Sequence, residues 1–244
     1  GTVMAGMGSN RRAAAVFTRD GVTWSQQAVI NSPDEDIHGG QFGARVSVKG
    51  DTALIGAYLG SINGIQMGTA YLYRRAGAEW TMAQKLTIPG PPLAYFGVRT
   101  HLADNIALVG AYRDDENGAD SGAVYVYERY DSNWIRHSKL IASDGAPGDG
   151  FGVHLGLSDN TAIVGASGDD DAGENTGSAY FYDIVPRAIA TDEATEITSR
   201  TAVAAGGIAE SVSGIIERGI VYSTVPSPTV TDSKIADAGV TTGY

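Results

Sequence analysis

The stretch FGARVSVKGDTALIGAY, residues 42–58, returns as FGVRTHLADNIALVGAY at residues 96–112 and as FGVHLGLSDNTAIVGAS at residues 151–167. A segment written three times at a spacing of 54 to 55 residues is a copied structural unit rather than a site that occurs once. Other landmarks keep the same phase. GTAYLYRR (68–75), GAVYVYER (122–129) and GSAYFYDI (177–184) recur, and Trp24, Trp80 and Trp134 mark one position in successive copies. TVMAGM, near the N-terminus, is a worn version of TALIGAY, so residues 1–36 read as a copy that lacks its first strand.

Alternation and turn residues divide each copy into four strands. The first, FGARVSV, is followed by Gly50-Asp51, Asp104-Asn105 or Asp159-Asn160, pairs that accept the positive φ of a two-residue hairpin turn. The second, TALIGAY, carries a Gly where a side chain would obstruct a close backbone approach. The third, TAYLYRR, alternates Tyr with small or aliphatic residues, and a turn at Asp20-Gly21, Ala76-Gly77 or Asp131-Ser132 leads to the fourth, WTMAQKL or WIRHSKL. A lone four-stranded sheet leaves an apolar face that only a neighbouring copy covers, which predicts an all-β fold of antiparallel propeller blades. A solenoid of hairpins is the competing architecture. The boundaries fall at 1–36, 37–90, 91–145 and 146–184, the first and last copies being partial.

Composition agrees. The chain has 244 residues, 33 of them Gly and none Cys, and a formal net charge of −11. Abundant Gly beside short runs of Tyr and Val favours strands and tight turns over helices. The negative charge argues against nucleic acid and anionic membrane surfaces as partners, and the absence of Cys excludes disulfides and thiol chemistry. No apolar run is long enough to insert in a membrane as a helix. The start, GTVMAG, has neither initiator Met nor signal-peptide pattern, which reads as a processed chain or an internal piece.

Phe-Gly followed by Gly-Ala, then an acidic loop and Gly-x-Ala/Val-Tyr, resembles the FG-GAP repeat of integrin α-subunit propellers and, more closely, of bacterial secreted proteins; SDGAPGDGFGVHL (143–155) is especially similar to the bacterial form. The family name implies Pro at the motif's end, where this chain has Tyr58, Tyr112 and Ser167. The resemblance implies a ring of typically seven blades. The repeats supply strands in the pattern three, four, four, three, or about 3.5 blades, so the rest of the ring is expected from further domains of the same chain or from another chain. Residues 185–244 resemble a truncated fibronectin type III-like module of Bacteroidetes-type surface proteins, a partial β-sandwich with strands at 200–205 and 215–223 and an edge beyond Pro228.

Two acidic loops follow strand two, RDDENGADSG (113–122) and GDDDAGENTG (168–177). Asp114, Asp115, Asn117 and Asp120 in the first, and Asp169, Asp170, Asp171 and Glu174 in the second, offer hard oxygen ligands suited to Ca²⁺. Their spacing is not that of an EF-hand. The calcium loop of integrin-type repeats lies between Phe-Gly and Gly-Ala, where this chain has only tight turns, so that site is not carried over. Solvated loops are the competing reading. Asp34, Glu35, Asp36, Asp144 and Asp149 precede Phe-Gly pairs and read as turn formers, as does Lys49-Gly50-Asp51. His38, His101, His137 and His154 are scattered, and His101 and His154 read as one repeated blade position. Tyr71, Tyr73, Tyr125, Tyr127, Tyr180 and Tyr182 read as inter-blade packing.

No catalytic motif is present, and the expectation is a non-catalytic protein of the extracellular space or cell surface. It would recognise a protein or glycan through the variable loops 59–67, 113–121 and 168–176. The alternatives are an accessory region of a secreted hydrolase and a subunit of an extracellular filament.

Overall fold

The computed structural model describes residues 1–7, 12–34, 39–89, 92–130, 132–173 and 176–185, together with four short strands beyond them. The chain divides into two compact units, Gly1–Val185 and Pro186–Tyr244. Among the described residues the first unit holds four antiparallel blade sheets and one small hairpin. The first blade has three strands, β1 (Thr2–Gly6), β2 (Ala13–Asp20) and β3 (Thr23–Asn31). The second has β4 (Arg45–Lys49) and β5 (Thr52–Ala57), then a small hairpin of β6 (Ser61–Ile62) and β7 (Ile65–Gln66), then β8 (Thr69–Ala76) and β9 (Glu79–Leu86); its order is β4-β5-β8-β9. The third contains β10 (Arg99–Leu102), β11 (Ile106–Ala111), β12 (Ala123–Tyr130) and β13 (Asn133–Leu140), and the fourth β14 (His154–Ser158), β15 (Thr161–Ala166) and β16 (Ser178–Asp183).

Register equates the copies. Met4 pairs with Val16 and Gly6 with Ala14, as Leu54 pairs with Leu72 and Gly56 with Ala70. TVMAGM is therefore a second strand, and the first blade lacks strand one among the described residues. In the fourth blade, strand four is the one not found among the described residues. Each strand four carries a bulge at one place, opposite Val16/Phe17, Leu72/Tyr73 and Val126/Tyr127.

Three features differ from the sequence expectation. Phe-Gly lies in a turn before strand one, not in it: Gly43, Gly97 and Gly152 have φ of 82, 92 and 94°, values of the third residue of a type II turn that a ladder does not accommodate. The turns before strand four centre one residue later than expected, on Gly21-Val22 and Gly77-Ala78, because Asp20 and Ala76 still pair across the hairpin. His101 pairs with Leu108 but His154 with Gly165, whose counterpart Gly110 faces Arg99. The two histidines are thus two positions apart in the blade.

The central strands of the second and third blades are buried on both faces, which is why they read as continuous apolar runs. Ala53, Ile55, Tyr71 and Tyr73 pack on Ala14 and Val16 of the first blade, while Leu54, Ala70 and Leu72 pack on Phe96, Val109 and Tyr125 of the third. The next seam repeats this with Leu108, Val124 and Val126 against Phe151, Val164 and Tyr182. These stacked sheets make a partial β-propeller. Each buried Phe sits edge-on to two tyrosines of its own blade: Phe42 to Tyr71 and Tyr73, Phe96 to Tyr125 and Tyr127, Phe151 to Tyr180 and Tyr182, at centroid distances of 5.3 to 6.4 Å. Burying one such ring contributes about 1.5–3 kcal/mol.

Glycines set the seam spacing. A Cβ on Gly6, Gly56 or Gly110 would stand 1.9, 2.1 or 2.4 Å from the carbonyl oxygen of Gly43, Gly97 or Gly152 in the next blade. Gly68 and Gly122 form parallel bridges to Phe96 and Phe151 across the same seams.

In the second unit β17 (Ile189–Thr191) pairs with β18 (Gly206–Ile208), and β19 (Gly219–Tyr222) with β20 (Ser233–Ala236), all antiparallel. The strand expected at 200–205 lies outside the described residues, β19 falls within the one expected at 215–223, and β20 lies beyond Pro228. Among the described residues no helix is long and apolar enough to cross a membrane.

Candidate functional site

Antiparallel order puts the loop after strand two and the connector into strand one at the same end of every blade. Backbone hydrogen bonds tie them together. Leu59 N–H donates to the Gly40 carbonyl at 2.9 Å and Gly168 N–H to that of Asp149 at 3.0 Å, while Gly148 N–H reaches the Ala119 carbonyl of the preceding blade at 2.9 Å. The loop end is therefore a continuous stapled surface rather than a set of separate fingers.

On it lies an aromatic row. Tyr58 and Tyr95 meet edge-on at 5.8 Å, the Tyr95 and Tyr112 rings are tilted at 41° with centroids 5.6 Å apart, and the Arg113 guanidinium stands 4.9 Å from the Tyr95 ring and 5.6 Å from that of Tyr112. Each of these side chains is half-buried. Tyr95 has φ of 55°, as its equivalents Gln41 and Gly150 have 61 and 65°. A bulky residue in the left-handed region costs of order 1–3 kcal/mol, and such strain concentrates at binding sites. Sequence reasoning noticed Tyr58 and Tyr112 only as departures from Pro and missed Tyr95; its signal is the aromatic placed directly before Phe-Gly. The loop 59–67 folds as the β6–β7 hairpin on Asn63-Gly64, both at positive φ, and exposes Ile65. That signal, Asn-Gly between isoleucines, was also present in the sequence.

The acidic loops use their carboxylates internally. Asp114 is 2% exposed; its Oδ2 accepts from Tyr125 Oη at 2.8 Å, and its Oδ1 accepts from Lys139 Nζ at 2.7 Å and from Glu116 N–H at 3.2 Å. Lys139 also meets Glu116 at 2.5 Å. Burial first, and the hydrogen bond to Asp114 second, push the Tyr125 hydroxyl up to about 12. Asp115 accepts from the Asp120 N–H, Asp120 pairs with Arg113 at 3.7 Å, and Asn117 donates to the Ala142 carbonyl. Asp169 accepts from Tyr180 and from the Asp171 N–H, and the Tyr180 bond holds it below the usual carboxylate range. Asp170 and Asp171 are exposed, and Glu174 lies outside the described residues. Among the described residues no three of His, Asp and Glu converge as a metal site. Asp114, already bound to an ammonium, does not fit Ca²⁺.

In the second blade Gly60 takes the place of Asp114, yet the arrangement survives. Tyr71 Oη donates to Asp34 of the preceding connector, which also receives Lys85 Nζ at 2.7 Å. Lys85 and Lys139 stand at one register position, opposite Tyr71 and Tyr125. Of the acids that the sequence assigned to turns, Asp34 thus accepts from Tyr71 and Lys85, and Asp144 accepts from Tyr180 at 2.8 Å; Glu35 and Asp36, like His38, lie outside the described residues.

A stack of three- and four-stranded blades locked by Phe-Gly and Gly-Ala backbone contacts, with connectors and loops gathered at one end, defines a β-propeller repeat protein. The FG-GAP repeat family model matches residues 24–73, 80–127 and 134–182, more than half of the chain, and the protein belongs to that family. No curated protein matches it.

Proposed function

We propose that this protein is a non-catalytic recognition protein of the cell surface or extracellular space, which binds a protein or glycan at the loop end of its propeller. The observation that carries the reading is the row Tyr58–Tyr95–Tyr112 with Arg113, in which Tyr95 is held in a strained conformation on a rigid, stapled scaffold. Half-exposed aromatic faces beside a guanidinium suit the apolar faces of sugars or the side chains of a protein ligand. Membership of the FG-GAP family supports recognition as the role, and the second unit fits a fibronectin type III-like spacer.

The test is binding of the full chain to arrays of glycans and of surface proteins, repeated with Tyr95→Gly. Glycine relieves the positive φ, so the variant is expected to keep its thermal midpoint while affinity for any retained ligand falls at least tenfold. Ligands retained equally well by Tyr95→Gly and Tyr112→Ala would refute this surface as the binding site.

A further inference from the structure

Strand one opens with a basic residue at one register position in the second, third and fourth blades. Arg45, Arg99 and His154 stand opposite Gly56, Gly110 and Gly165. β4 meets β10, and β10 meets β14, so the three residues form a row along successive blades. Val46 and Val48 pack into the seam with the first blade, and alternation along the strand therefore turns Arg45 toward the third. Arg45 and Arg99 each donate one N–H to the carbonyl directly before them, Ala44 at 2.7 Å and Val98 at 3.0 Å. Among the described residues neither guanidinium makes an ion pair, although acids outnumber bases in this chain. The two arginines act on each other instead. Burial first, and the like charge of Arg45 second, lower the pKa of the half-buried Arg99 from its ordinary value. Two guanidiniums held side by side with no counter-charge repel, and an oxyanion bound between them removes that cost.

We propose that Arg45 and Arg99 bind the acidic group, carboxylate or sulfate, of a glycan whose sugar rings lie on the Tyr58–Tyr95–Tyr112 row. This rests on the reading of that row as the recognition surface and names the class of ligand it takes. Tyr58 and Tyr112 follow by two residues the glycines that Arg45 and Arg99 oppose, and Tyr95 precedes Arg99 by four. Stacking faces and guanidiniums therefore belong to the same end of the same blades. A guanidinium is planar, always charged and matched to an oxyanion through two parallel N–H donors, while half-exposed aromatic rings take the apolar face of a sugar. An acidic sugar carries both features. Arg113 does not compete for the acid, since Asp120 holds it at 3.7 Å and its fork stands over Tyr95 and Tyr112.

The probes are trigalacturonate, its neutral methyl ester and a neutral trisaccharide carrying one sulfate, each titrated into the full chain by calorimetry. One or both acidic probes are expected to bind, and whichever is tighter identifies the acidic group. The ester should bind about tenfold or more weakly than the uronate, the worth of a charge-assisted hydrogen bond, and added salt should narrow the gap. Arg45→Gln/Arg99→Gln is expected to erase the preference for acid while ester binding persists, which reports an intact row and separates lost charge from lost fold. Acid and ester bound alike, and both weakened by Tyr95→Gly, would overturn this proposal and leave the row standing. Acid preference that survives Arg45→Gln/Arg99→Gln overturns it, as does absence of binding by both acidic probes at millimolar concentration. Acid preference that needs the arginines but is indifferent to Tyr95→Gly and Tyr112→Ala refutes the row, and the glycan with it. An aspartate-rich peptide that displaces the acidic probes and binds more tightly than they do would also overturn it, by assigning the arginines to a protein ligand.

Discussion

At the residue scale, two groups of side chains decide how closely blades approach and how their polar atoms are satisfied. Gly110 faces the Gly152 carbonyl across a seam, whereas its counterpart Gly165 meets only His154, 3.2 Å from its projected Cβ. Gly110→Ala forces backbone apart and is expected to destabilise by about 3 kcal/mol or more, the upper range for overpacking, while Gly165→Ala costs under about 1 kcal/mol. Chaotrope denaturation of the two variants checks this, and equal losses would remove the seam as the reason for the glycine. Tyrosines offer a second contrast. Tyr125 Oη donates to buried Asp114, whereas Tyr127 Oη is buried without a partner. Tyr125→Phe should cost about 1–3 kcal/mol and Tyr127→Phe nothing, or even stabilise, because it deletes an unpaired polar atom. Comparison of unfolding midpoints decides it. Tyr73 and Tyr125 are pushed from 10.0 to about 12, burial being the main cause in both. Their folded values lie above the unfolded one, so the stability they contribute is complete below pH 10 and disappears between about pH 10 and 12. Tyrosinate absorbance should therefore rise in a late step that coincides with loss of structure.

At the scale of the element, the Phe-Gly turn is the joint on which each blade closes. Phe151 is fully buried against Tyr180 and Tyr182 of its own sheet and joins the apolar layer shared with the third blade. Phe151→Ala is expected to cost about 3–5 kcal/mol, readable as a lower unfolding midpoint. The loops after strand two behave as struts, since Asp114, Asp115 and Asp169 accept from Tyr, Lys and backbone N–H groups. Millimolar Ca²⁺ or a chelator is accordingly expected to leave the thermal midpoint unchanged. A rise with Ca²⁺ would show, by linkage, an ion bound in the native state and would overturn the strut reading of these loops.

At the scale of the molecule, the first unit is a stack whose last face is dressed for a neighbour. Ile163 and Phe181 occupy the places of Leu108 and Val126, both fully buried in the third blade, yet are 40% and 72% exposed. Ile163→Ser/Phe181→Ser should lower concentration-dependent self-association in light scattering with little change in midpoint, because neither side chain is buried. The blade count and the strand boundaries within a few residues were legible in the sequence, because a repeat of 54 to 55 residues leaves few sheet arrangements that cover its apolar faces. The partner of each acid was not legible. Asp34 and Asp114 perform one task from two different loops, and local spacing carries no trace of a contact made across 37 residues in one case and 11 in the other. The sequence by itself determined that the blades exist and how many strands each has, since periodic side-chain alternation is a local property. Only the tertiary structure decided which tyrosine meets which carboxylate and why Tyr95 bears a left-handed backbone, since these depend on distances between segments that register and stacking bring together.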